Sequence, residues 1–240
     1  PSLGYWAILY QFFYCNLHNT YMQAAVALIL QGVPSVTAIS GLLSLGQGQI
    51  LLIQRAINAS DAYSGHLAFP GGRSKLHEQA YETAVRETKE EIGLDLADES
   101  YRYLGPLPLV RRRNLIIHPL VFLQVAETDD EMDLEEDEVA DAFWINVEHL
   151  LLAPVDNYQH SLLKYMGYSP CLPSFLDPLQ SLPSIAIEHQ GFRPQYLWGI
   201  SLQILSSLFA VTGQRDRAKA LNPARVAIVS AISGILKCAH

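Results

Sequence analysis

Three glutamates, Glu87, Glu90 and Glu91, stand at relative positions 0, 3 and 4 within "FPGGRSKLHEQAYETAVRETKEEIGL" (69–94). A helix advances about 100° per residue, so the three fall within an arc of roughly 100°. Tyr81, Ala84, Val85, Thr88 and Ile92 fall on one mostly apolar stripe, and the spacing predicts that the three carboxylates lie on the opposite side. Like charges at i, i+3 and i+4 repel, so the cluster either faces water or shares a counterion. A hard divalent cation, Mg²⁺ or Mn²⁺, suits such a set, because it prefers carboxylate oxygens, keeps several waters and bridges to substrate phosphates. Arg86 is placed to hold one carboxylate by a paired hydrogen bond.

The residues flanking this segment tilt the choice toward a site. Pro70, Gly71 and Gly72 predict a tight bend whose backbone comes close to a ligand and offers it a carbonyl or amides. Gly93 suits the left-handed position that ends a helix, with Leu94 folding back. The predicted helix runs from about Glu78 to Ile92.

Around it, short apolar, β-branched runs read as strands: "AAVALIL" (24–30), "QILLIQR" (49–55), "YRYLG" (101–105), "NLIIHPLVFLQV" (114–125) and "AFWINV" (142–147). Pro119 inside the fourth run predicts an edge position or a bulge. Residues 31–48 read as a loop or irregular strand pair, and residues 147–152, 158–166, 195–210 and 223–237 as helices. Between them "SPCLPSFLDPLQSLPS" (169–184) is too rich in proline for an intact regular element. The expectation is one mixed α/β domain over 1–240, with its core at about 20–150 and a C-terminal helical extension at 151–240.

At this length of motif a family resemblance becomes specific. Gly72, five residues, Glu78, seven residues, Arg86-Glu87-Thr88-Lys89-Glu90-Glu91, one residue, and Gly93-Leu94 resembles the Nudix box, G-x5-E-x7-R-E-U-x-E-E-x-G-U, with Thr88 less apolar than the usual aliphatic residue. The resemblance implies a Nudix fold, a mixed β-sheet sandwiched between helices, and metal-dependent hydrolysis of a nucleoside diphosphate linked to a further group. It implies Glu87, Glu90 and Glu91 as metal ligands, with the Gly72 carbonyl as a further one, and Arg86 and Glu78 as an orienting pair. Glu87, Glu90, Arg86 and Glu138 then make up the catalytic set.

In such chemistry a cation neutralises the pyrophosphate oxygens and acidifies a water, and a carboxylate takes the proton. Which carboxylate does so is not written in the box. Residues 127–138 hold nine acids in twelve positions. A solvated loop is the plain reading of such a run. Relatives nevertheless place a metal-binding or basic glutamate before this late strand, which directs attention to Glu138 or Glu135.

Upstream, "LLIQRAINASDAYSGHLAFPGG" (51–72) resembles the coenzyme A diphosphatase signature at Leu51, Leu52, Arg55, Ala56, Gly65, Phe69, Pro70, Gly71 and Gly72. Ile53 stands where Thr is usual, and Ser60 near an expected Arg. The implied substrate is CoA or acyl-CoA, cleaved to adenosine 3′,5′-bisphosphate and a 4′-phosphopantetheine product. Alternatives are oxidised nucleoside triphosphates, NADH or dinucleoside polyphosphates, or a Nudix-fold binding protein without turnover. Arg55, Arg73 and Gly71 are the expected substrate contacts, and Lys75 and Arg111–Arg113 are further basic candidates for the 3′-phosphate. His66 and His118 read as structural.

A net charge of −8 argues against nucleic acid or anionic lipid as partners. The first 54 residues lack Lys, Arg, Asp and Glu, but the apolar run 5–15 is broken well before the roughly 20 residues of a membrane span. It reads as packed on the domain or on a second subunit, as in a homodimer. Cys15, Cys171 and Cys238 form no metal or disulfide spacing. The expected location is therefore the cytoplasm or an organellar matrix, mitochondrial or peroxisomal, and not the secretory route.

Overall fold

The computed structural model describes residues 21–33, 39, 45–58, 64–112, 114–126, 131–161, 179–189 and 195–221. The apolar run 5–15, Ser60, Arg113, most of the Pro-rich passage and the helix expected at 223–237 lie outside the described residues.

Among the described residues, eight strands form the main sheet: β1 (Met22–Gln31), β2 (Gln49–Arg55), β3 (Leu67–Ala68), β4 (Gly71–Arg73), β5 (Tyr101–Pro106), β6 (Val110–Arg112), β7 (Leu115–Gln124) and β8 (Val139–Asn146). β1 is the hub. It runs parallel to β7, antiparallel to β2 at Leu30 and Gln31, and antiparallel to β4 at Ala24–Val26. β8 extends the sheet beyond β2.

Side chains alternate across a strand, and here both faces are covered. Ala25, Ala27, Ile29, Leu51 and Ile53 cluster with Ala84 and Ile92 of helix α1 (Ala80–Ile92). Their neighbours Ala24, Leu28, Leu30, Ile50 and Leu52 cluster instead with Leu150 of α2 (Val147–Leu152), Leu205 and Phe209 of α3 (Gly199–Val211) and Leu221 of α4 (Arg215–Leu221). The result is the expected mixed sheet between helices. It also explains why β1 and β2 read as continuous apolar runs.

Pro119 does not sit at an edge. β7 has β1 on one side and β6 and β5 on the other, and the latter pairing passes from Ile117 with Val110 to Leu120 with Pro106. The Pro119 carbonyl accepts from Leu107 N–H at 2.9 Å, at that junction. A residue's N–H and C=O point to the same side of a strand, so the donor that proline lacks faces the gap between two partners. The irregularity falls nearby, as a register shift between Tyr103 and Gly105.

The C-terminal part departs from expectation. The segment read as a helix at 158–166 begins within strand β9 (Asp156–Ser161), which pairs with β10 (Leu179–Ile187). β10 runs through Pro183 in the proline-rich passage and also pairs with β11 (Gln195–Trp198), so α3 starts at Gly199 and not at Gln195. Pairing between distant segments overrides a weak local helical pattern. Among the described residues no helix is long and apolar enough to cross a membrane.

Candidate active site

Helix α1 is bounded by its own chemistry. Gln79 N–H donates to Glu82 Oε2 at 2.9 Å at the start, and Gly93, at φ 76°, donates its N–H to the Lys89 carbonyl at 3.1 Å at the end. A Cβ on Gly93 would lie 3.0 Å from Asp133 Cβ, so a side chain here would both strain the backbone and press on its neighbour.

Arg86 is the centre of the polar network. Its Nε and Nη2 donate to the two oxygens of Glu78 at 2.7 and 2.9 Å, the paired geometry that a guanidinium favours. Nη2 also donates to the Arg73 carbonyl at 3.1 Å, and Nη1 reaches Glu90 Oε2 at 2.7 Å and Glu87 Oε1 at 2.8 Å. These contacts hold Glu78 down at about 2, chiefly through the Arg86 hydrogen bond, and raise the already high Arg86 value further.

The three box glutamates do not share one open face. The Glu90 side chain is 55% exposed, Glu87 only 15%, and Glu91 is buried at 3%. Glu91 sits on the flank of the apolar stripe, about 80° from its centre. From there it reaches under the sheet edge, where Gly71 N–H donates to its Oε2 at 2.8 Å. Burial pushes Glu91 up to about 8, with the Gly71 donor and Arg55 opposing and the charges of Glu87 and Glu138 adding. Glu87 is raised for the same first reason, burial, with Arg86 opposing. At Glu90 burial works upward, but the bond and charge of Arg86 outweigh it and the net shift is downward.

Strand β4 supplies the floor. Gly71, at φ 143°, has no room for a Cβ against the Ala25 carbonyl and Val26 Cα. A Cβ on Gly72 would overlap the Glu87 carboxylate. The Gly71 amide is therefore committed to Glu91, and the Arg73 carbonyl to Arg86. Lys75 Nζ lies 3.5 Å from Glu90 Oε1 in the open.

Glu138 is brought to this cluster by backbone contacts. Asp133 N–H donates to the Ile92 carbonyl at 3.2 Å and Glu135 N–H to the Glu91 carbonyl at 3.0 Å, so the acidic loop caps the last turn of α1. Ala56 N–H donates to the Glu138 carbonyl at 2.8 Å, and a register shift between Gln54 and Arg55 turns the end of β2 beside it. Glu138 and Arg55 both act electrostatically on Glu91. Arg111 and Arg112 stand apart in β6, with β7 and β1 between them and β4. His66 meets Trp198 edge-on at 5.0 Å, and His118 Nε2 pairs with Gln23 Oε1 at 2.8 Å.

One participant has no signature in the sequence. Thr83, completely buried, places its hydroxyl 3.0 Å from Glu78 Oε2 and 2.9 Å from Ser74 Oγ. It lies among the unspecified positions of the box, and on the polar flank of the helix nothing distinguishes it from a solvated threonine.

An all-oxygen, carboxylate-rich donor set suits a hard divalent cation, and the charges of Glu87 and Glu138 both act on the buried Glu91. As placed, no three acidic, histidine or cysteine side chains among the described residues are gathered as a ligand set, and Arg86 Nη1 occupies the space between Glu87 and Glu90.

The fold and this box define a Nudix protein: the NUDIX domain family matches residues 34–166, more than half of the chain, and the protein belongs to it. Members of the family generally need divalent metals. Among relatives, Nudix hydrolase 3 of Caenorhabditis elegans is 31% identical over 160 residues, covering 65% of this chain and 63% of its own. The mitochondrial coenzyme A diphosphatase of Mus musculus is 30% identical over 152 residues, covering 61% and 70%. This chain spans less than two thirds of the length of the first curated relatives it matches. Among solved structures, a Caenorhabditis elegans Ap4A hydrolase complex aligns at 18% identity and TM-score 0.39, over 54% of this chain and 83% of that one; a likeness at that level carries nothing about substrate.

Proposed function

We propose that this protein is a coenzyme A diphosphatase, hydrolysing the pyrophosphate of CoA or acyl-CoA to adenosine 3′,5′-bisphosphate and the 4′-phosphopantetheine product. The observation that carries the chemistry is the Arg86 network, which joins Glu78, Glu87 and Glu90 beside the buried Glu91 that Gly71 N–H holds. The substrate reading rests on the 30% identity to a mitochondrial coenzyme A diphosphatase and on the upstream residues Arg55 and Phe69–Gly72. That relative and a peroxisomal coenzyme A diphosphatase of Caenorhabditis elegans support an organellar location, mitochondrial or peroxisomal, over the cytoplasm.

Glu87, Glu90, Glu91 and the Gly72 carbonyl would hold Mg²⁺ or Mn²⁺. When bound, the metal supplies charge neutralisation for the pyrophosphate and an acidified water. Arg86 orients Glu87 and Glu90 while Glu78 fixes its other edge. Glu138, exposed on its loop, accepts the proton of the attacking water at its carboxylate. Arg55 and Arg73 bind substrate phosphate, with the exposed Lys75 beside Glu90 as a further cation.

A panel of CoA, acyl-CoA, NADH, diadenosine polyphosphates and 8-oxo-dGTP with Mg²⁺ or Mn²⁺, products identified by mass, tests the proposal. CoA or an acyl-CoA is expected to turn over fastest, and Glu90→Gln to lower kcat by at least about a hundred-fold. Faster turnover of 8-oxo-dGTP or a dinucleoside polyphosphate, with CoA inert, would overturn the substrate. Ligand binding unchanged in Glu90→Gln, with no turnover in the wild type, would mark a binding protein.

A further inference from the structure

Glu78 is held from more directions than Arg86 alone. Its Oε2 accepts from Lys75 N–H at 2.7 Å, from Arg86 Nη2 at 2.9 Å and from the Thr83 hydroxyl at 3.0 Å, while Oε1 takes Arg86 Nε at 2.7 Å. Thr83 is wholly buried, and its Oγ1 also lies within hydrogen-bond distance of Ser74 Oγ, at 2.9 Å, and of the Gln79 carbonyl, at 3.1 Å. A hydroxyl has one proton to donate. An ionised carboxylate is the strongest acceptor of the three, and Ser74 then donates to Thr83. A helical threonine that merely satisfied the carbonyl four residues back would need neither partner.

We propose that Thr83 is a positioning residue: its buried hydroxyl fixes Glu78, Glu78 fixes the edge of Arg86, and Arg86 Nη1 sets Glu87 and Glu90. Without the hydroxyl, Glu78 keeps its charge but loses the donor that comes from inside the helix, and the guanidinium gains freedom to rotate away from both carboxylates. The catalytic consequence rests on the hydrolase reading above, whereas the geometric consequence does not.

Thr83→Val keeps the shape and removes the hydroxyl, and Thr83→Ser keeps the hydroxyl. Three readouts apply: Mn²⁺ binding to metal-free protein by electron paramagnetic resonance, exchange of the Arg86 Nε–H by nitrogen-15 NMR, and kcat and KM with CoA. In Thr83→Val, Mn²⁺ affinity is expected to fall about ten-fold or more, as for other groups that orient ligands. Arg86 Nε–H exchange is expected to quicken and kcat to fall with little change in KM, and Thr83→Ser to restore all three. Wild-type Mn²⁺ affinity and Arg86 protection in Thr83→Val, at any melting temperature, would overturn the proposal, as would failure of Thr83→Ser to restore them. If Thr83→Val does not fold, Thr83→Cys, with its weak S–H donor, replaces it under the same expectations. A wild type inert toward CoA, with the Mn²⁺ and NMR differences intact, supports the role of Thr83 and removes only the substrate.

Discussion

Glu91 departs furthest from a glutamate's ordinary surroundings, being buried at 3% with Gly71 N–H on one oxygen. Burial pushes it up to about 8, above the 4.5 of a glutamate in the unfolded chain. Between those two values the folded state holds the proton and the unfolded state has lost it, so stability falls as pH rises through that window and levels off above about 8. In metal-free protein, Glu91→Gln is therefore expected to melt higher than wild type by a margin that widens from pH 5 to pH 8.5. A constant margin in calorimetry across that range would contradict the burial argument. The box glutamates, Arg86 and Gly72 were legible as a spacing, because a helix converts sequence interval into direction. Their unequal depth was not, since it depends on how α1 rolls against β4. Thr88 belongs to the same lesson: its position on the apolar stripe was readable, but not that its hydroxyl would be buried without a hydrogen-bond partner among the described residues.

At the scale of elements, α1 and its two glycine-marked ends were readable because capping is local chemistry. The acidic stretch was not. Nine acids in twelve positions suggest a solvated loop, yet residues 131–138 dock through main-chain amides on Ile92 and Glu91, and the main chain leaves no trace in composition. Gly93 stands where these two elements meet. Gly93→Ala is expected to destabilise by more than the roughly 1–2 kcal/mol that a left-handed backbone alone costs a residue with a Cβ, because Asp133 must also move. Denaturant unfolding measures this, and a loss under about 0.5 kcal/mol would show that the loop yields freely. The same substitution is expected to lower turnover, since Glu138 travels with the loop.

Across the whole molecule, β1, β2, β5, β7 and β8 were legible from their apolar runs, whereas the short β3, β4 and β6 and the pairing of β9 with β10 were not, because sequence-distant contacts decide them. The helices after β11 are not an appendage. Leu205 and Phe209 of α3 share one buried cluster with Leu28 and Leu52 of the central strands. Removing everything after Trp198 is expected to expose that face and yield protein without a cooperative thermal transition. A truncated chain that melted cooperatively near the wild-type temperature would show the extension to be separable.

The three residues of β4 each carry one duty in the site: Gly71 binds Glu91, Gly72 makes room for Glu87, and Arg73 accepts from Arg86. Their place is set by pairing with Ala24–Val26 of β1, a strand that precedes the family-matched residues 34–166. A fragment trimmed to the family boundaries would retain every box residue and still lack the rail on which three of its contacts are aligned. The alignment of Glu87, Glu91 and Arg86 is thus inherited from the register of a strand outside the signature that contains them, and it is assembled only when the sheet is.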